Sequence, residues 1–139
     1  VLDFIVTRNY IVKLLRPVVA ALLLALLGAS FSAQAADPKR GRVYYRMVCT
    51  ICHMEKAGGP ISPSTRTKAE WTAYFLADKH AKGKDSLAYY IGKPYRASIK
   101  GTNKAAEKYA EIPDHDLTED IKAFVNQGAK DSDTPTSCD

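Results

Sequence analysis

The sequence predicts an all-α domain of four or five short helices, and three observations carry that reading. Apolar residues recur at i, i+3 and i+4 in several windows. Those windows are bounded by helix-capping residues on one side and by Gly or Pro on the other. No window alternates apolar and polar residues as a half-buried strand would.

The chain has 139 residues and a formal net charge of +5. Its first 35 residues read as a leader and not as part of a fold. Arg8, Lys13 and Arg16 precede or adjoin an apolar stretch from Pro17 to Leu27, and small residues end in Ala33-Gln34-Ala35. A basic region, a short apolar run and an A-x-A site are the parts of a secretory signal peptide, with cleavage expected before Ala36. The apolar run falls short of the roughly 20 residues of a comfortable membrane span; an uncleaved anchor is the alternative. The sequence begins with Val, and Val12 would itself open a compact signal peptide. Residues 36–130 are expected to form one small domain, residues 131–139 a loose polar tail, and the product to be periplasmic or secreted.

The first helix is expected over 41–54, with Tyr44, Tyr45 and Val48 on its apolar side, and Ala57-Gly58-Gly59-Pro60 breaks it. Residues 61–66 read as loop. Thr67 is a helix cap with Glu70 at capping-box spacing, followed by an aromatic face of Trp71, Tyr74 and Phe75. Lys82-Gly83-Lys84 is a second break. A short helix over 86–91 is expected to stop at Gly92 and Pro94, and Asn103 to cap another through Tyr109. The last helix is the clearest: Asp116 as cap, Glu119 three residues on, Leu117, Ile121, Phe124 and Val125 on one face. Gly128 falls where a left-handed residue often ends a helix.

Chemistry enters at Cys49-Thr50-Ile51-Cys52-His53. Two thiols at this spacing can form thioethers with the two vinyl groups on one edge of a haem, and the adjacent His53 then meets the iron as an axial ligand. One covalently attached haem c is the cofactor this motif implies. Three rivals are weaker. A zinc ribbon needs a second Cys/His pair at ligand spacing, and Cys138, His80 and His115 are scattered. A redox dithiol sits in a βαβ pattern, which is absent. A Cys49–Cys52 disulfide closes a very tight loop and leaves His53 unexplained.

With these residues in place, the segment from Gly41 to Gly128 resembles the class I c-type cytochromes. The resemblance rests on Gly41 and the aromatic Tyr44 and Tyr45 before the motif, on the motif itself, on Gly59-Pro60 after it, and on a last helix carrying Phe124. It implies a cytochrome c-like fold in which the first and last helices cross, with Gly41, Tyr44 or Tyr45 against Phe124. It also implies that the Pro60 carbonyl receives a hydrogen bond from His53. The family's distal Met, often followed by Pro, is replaced here by Ile112-Pro113, and the two methionines, Met47 and Met54, flank the motif.

The second face of the iron therefore has several candidates. His80 lies between two expected helices and is the leading one. His115, beside the expected distal loop, is the runner-up. A Lys or Asn between 100 and 108, or an open site, completes the set. Arg66, Trp71, Tyr95 and Arg96 are of the types that donate to haem propionates in the related family, with core packing as the alternative for each. Cys138 is left over, as a reactive thiol, an intermolecular link or a stray tail residue.

The bases Lys79, Lys82, Lys84, Lys93, Arg96, Lys100, Lys104 and Lys108 outweigh Asp85 and Glu107 in one segment. An ordinary solvated surface is one reading; a docking face for acidic redox-partner proteins is the other. No stripe suggests nucleic acid, and membrane association would run through partners. No acid–base or nucleophile constellation stands beside the motif, so the expectation is a one-electron carrier and not an enzyme. A small-ligand-binding or sensor haem protein, and a haem subunit of a larger redox complex, are the alternatives.

Overall fold

The computed structural model describes residues 35–56, 61–80 and 85–136. The expected signal peptide lies outside the described residues up to 34, as do Pro60, Lys82, Lys84 and Cys138. The described residues form one unit, and it is all-helical: no strand occurs among them.

The chain enters its first helix at Pro38, ahead of the expected 41. Asp37 is extended, and its carboxylate accepts the N–H groups of Lys39 and Arg40 at 2.9 and 3.2 Å, while Pro38 occupies a position where no N–H is needed. α1 (Pro38–Tyr44) runs into a π-helical stretch (Tyr45–Thr50), and α-geometry resumes in α2 (Ile51–Lys56). Tyr44, Tyr45 and Val48 are buried, as their spacing requires.

After a 3-10 turn (Pro63–Thr65), α3 (Lys68–Ala77) starts at the expected capping box. Thr67 Oγ1 accepts the Glu70 N–H at 3.2 Å, and the Glu70 carboxylate accepts the Thr67 N–H at 2.7 Å. α4 (Leu87–Ile91) is capped by Ser86, which accepts the Tyr89 N–H at 3.1 Å. Gly92 ends α4, but Pro94 does not end the helical region. It sits in the first turn of α5 (Lys93–Ile99), a helix absent from the sequence reading; a first-turn Pro lacks only an N–H that has no helical partner. α6 (Lys104–Lys108) is capped by Asn103 as expected.

α7 (Asp114–Gln127) begins at Pro113 without a side-chain cap. Asp116, expected as that cap, lies in the first turn, where its charge favours the helix dipole. Leu117, Ile121, Phe124 and Val125 are buried along one face. α7 crosses α1 at Gly41: a Cβ there would lie 2.1 Å from the Asp120 carbonyl oxygen, so glycine is what permits the approach. Beside the crossing, the Tyr45 and Phe124 rings meet edge-on at 5.5 Å. The Asp120 carboxylate, itself buried, accepts the Asp37 N–H at 2.6 Å and pairs with Arg40 Nε.

Gly128 is not left-handed; its φ is −99°. Its need for glycine is steric, because a Cβ would come within 2.8 Å of Thr136 and 3.0 Å of Pro63. That packing belongs to the segment expected as a loose tail, which is held as far as Thr136. The Thr136 N–H donates to Gly128 O at 3.0 Å, and Asp131 accepts the Lys68 N–H at 2.8 Å. No helix among the described residues is long and apolar enough to cross a membrane.

Candidate functional site

The Cys-x-x-Cys-His motif straddles the junction of the π-helical stretch and α2. A π-turn widens the helix locally and re-aims the side chains that follow, which is why such turns recur at functional sites. Cys49 is half-buried against the core, Cys52 is exposed, and both thiols are free. Burial pushes the Cys49 thiol up to about 12. The two thiols thus lie one helical turn apart on a single helix, one shielded and one open to solvent, with His53 beside them and half-buried.

The fold brings His80 to His53. Their ring centroids are 5.6 Å apart, with planes at 56°. His80 follows α3, and its ring also rests on Tyr90 of α4 at 5.0 Å. Its Nδ1 is buried without a hydrogen-bond partner among the described residues. A buried nitrogen in that condition is costly unless something outside the protein satisfies it. Tyr90 is fixed in turn, because its carbonyl accepts the hydroxyl of the fully buried Tyr44 at 2.8 Å. Tyr95 packs on the Tyr90 ring, with centroids 5.1 Å apart, and burial raises its phenol above the ordinary value.

The other candidates lie elsewhere. His115 is in the first turn of α7, its side chain 82 % exposed and its Nδ1 3.5 Å from Asp116. Ile112 packs partly against the core, and its carbonyl accepts Arg96 Nη2 at 2.9 Å. Met47 and Met54 are 43 % and 64 % exposed on the motif's own helix.

Arg96, read from sequence as a surface base or propionate donor, is instead fully buried. It donates to the carbonyls of Tyr109 and Ile112 and pairs with Asp114. These bonds meet Nη1 and Nη2 of the buried guanidinium, while its Nε is buried without a hydrogen-bond partner among the described residues. Trp71 is also committed: its indole N–H donates to the Pro63 carbonyl at 2.8 Å inside the core. Arg66 lies over the rings of Trp71 and Tyr74, 4.9 Å from each. Of the segment's bases, Lys79, Lys93, Lys100, Lys104 and Lys108 are exposed; Lys104 pairs with Glu107 at 3.2 Å and Lys93 with Glu111 at 3.8 Å.

The donor set can be tested against the group it implies. Among the described residues no three His, Cys, Asp or Glu side chains converge as a protein-only metal centre would require. What does converge is a pair of imidazoles, one with an unsatisfied buried nitrogen, next to two free thiols on one helix. That set suits a planar group carrying its own equatorial donors and asking the protein for two axial ones and two covalent tethers. Sequence reasoning missed Tyr90 and Asp78. Asp78 carried one signal: Asp is among the few residue types that accept a left-handed helix end.

Compared with known proteins, the chain matches no family model, no curated protein and no solved structure.

Proposed function

We propose that this chain is an exported monohaem c-type cytochrome that carries single electrons between redox proteins. Cys49 and Cys52 would tether the haem, and His53 and His80 would hold its iron. The observation that carries this reading is the approach of His80 to His53 with a buried, unsatisfied ring nitrogen. Bound haem supplies a reversible one-electron iron couple.

The chain's own residues do the rest. Two imidazoles from separate parts of the chain would hold the group from two sides. They also set a lower potential than a Met ligand would, because Met ligation raises it. Tyr90 and the Tyr44 hydroxyl hold the His80 side of the site against the first helix. Lys79, Lys93, Lys100, Lys104 and Lys108 orient an acidic partner, speeding encounter more than tightening the complex. Arg96 has no part in that docking face, being buried.

A second reading keeps the tethers and His53 but leaves the sixth position to a small external ligand. It is favoured by the His80 Nδ1, which has no hydrogen-bond partner among the described residues. His80→Ala separates the two. The carrier reading expects the oxidised protein to pass from a low-spin to a high-spin spectrum. An unchanged low-spin spectrum in His80→Ala removes His80 from the site, and rapid CO uptake by the unmutated reduced protein favours the ligand-binding reading.

A further inference from the structure

No hydrogen bond at the buried His80 Nδ1 fixes where the ring points among the described residues. Its position must come from the backbone and from the wall it rests on. Both lead to Asp78.

Asp78 closes α3 in the left-handed region, with φ 46° and ψ 32°, and is the one non-glycine residue with positive φ among the described residues. Such a conformation persists where its surroundings over-determine it. Here two hydrogen bonds supply those surroundings. The Asp78 N–H donates to Phe75 O, ending α3. Its carboxylate reaches across the connector to accept the Ala88 N–H in the first turn of α4, at 2.7 Å. One residue therefore caps the end of one helix and the start of the next, and His80 stands two residues beyond it.

The far side of the clasp leads back to the same site. α4 carries Tyr90, whose ring supports His80 at 5.0 Å and whose carbonyl is tied to Tyr44 on the helix that presents His53. We infer that Asp78 is the positioning residue that holds His80 opposite His53, and that releasing this clasp opens the sixth position to a small external ligand. The inference rests on the reading that His80 is the second axial ligand.

The test uses the haem-loaded protein and four variants: His80→Ala, Asp78→Ala, Asp78→Asn and Ala88→Pro. Ala88→Pro removes the donor while leaving the Asp78 backbone alone, at a helix position where Pro94 is already accommodated in α5. The readouts are the high-spin fraction of the oxidised protein and the rate of CO uptake by the reduced protein. Asp78→Ala and Ala88→Pro are expected to raise the high-spin fraction and to speed CO uptake roughly tenfold or more, the shift in population that losing one hydrogen bond to a charged group produces. Asp78→Asn keeps an acceptor and tolerates the left-handed turn, so it is expected to stay near the unmutated protein. If Asp78→Ala does not fold, Ala88→Pro decides. An unmutated spectrum and CO rate in Ala88→Pro, alongside a high-spin His80→Ala, overturns the clasp and leaves the ligand assignment standing. A low-spin His80→Ala overturns both.

Discussion

Replacing Gly41 by alanine should open the crossing of α1 and α7. The added Cβ would sit 2.1 Å from the Asp120 carbonyl oxygen, 2.4 Å from its carbon and 2.8 Å from the Ile121 nitrogen, all of them backbone atoms that cannot rotate away. The helices must separate by roughly 1 Å to restore ordinary contact. Overpacking of this kind costs about 1–3 kcal/mol and sometimes more. The same movement loosens the Tyr45–Phe124 contact and the buried Asp120 carboxylate with its bonds to Arg40 and the Asp37 N–H. Against this, alanine is favoured over glycine inside a helix by about 1 kcal/mol. With about 1 kcal/mol for the loosened aromatic contact, the net loss is on the order of 1–3 kcal/mol, a fall in melting temperature of roughly 5–20 °C for a domain of this size. The assay is thermal and urea unfolding followed by helical circular dichroism. Gly101→Ala is the control, because a Cβ there meets nothing within 4 Å; it should be neutral or slightly stabilising. Equal stability of Gly41→Ala and the unmutated protein would refute the crossing.

Four further outcomes are expected. Trp71→Phe leaves the Pro63 carbonyl without its donor inside the core and should cost about 1–3 kcal/mol in urea unfolding. In haem-free protein, timed alkylation read by peptide mass should label exposed Cys52 before Cys49, whose thiol is pushed up to about 12; equal rates would show that Cys49 is not shielded. Thr67→Ala should cost about 1 kcal/mol. The Thr67 hydrogen bonds hold the Glu70 carboxyl below its ordinary 4.5. A depressed carboxyl stabilises the fold above its unfolded value and loses that contribution as pH falls through the folded one, so the cap should weaken under acid conditions. Glu70→Gln should flatten that part of the pH–stability curve.

Local features of this fold were legible in the sequence because their causes are local. The Thr67–Glu70 box, the Asn103 cap and the buried face from Leu117 to Val125 all depend on residues within a few positions of one another. The errors share the opposite cause. Pro94 reads as a stop until its place in a first turn is known. Arg96 reads as a surface base until Tyr109, Ile112 and Asp114 gather around it. Gly128 needs glycine because of Thr136 and Pro63, not because of its own torsion angle. The site divides the same way. The two thiols and His53 are adjacent in sequence and could be read at once. His80 was one candidate among several until the connector after Asp78 brought it beside His53, and the supporting Tyr90 has no sequence signal of its own.

The central claim is that Cys49, Cys52 and His53 hold one haem covalently and that His80 completes its iron. The most direct measurement is on full-length protein exported from a host that attaches haem: intact mass after acid denaturation, with the EPR spectrum of the oxidised form on the same sample. The account predicts the mass gain of one haem that survives denaturation, lost in the Cys49→Ala/Cys52→Ala protein, and a low-spin signal from two imidazole ligands. Protein that emerges without a covalent haem, or with a zinc ion in its place, would contradict it.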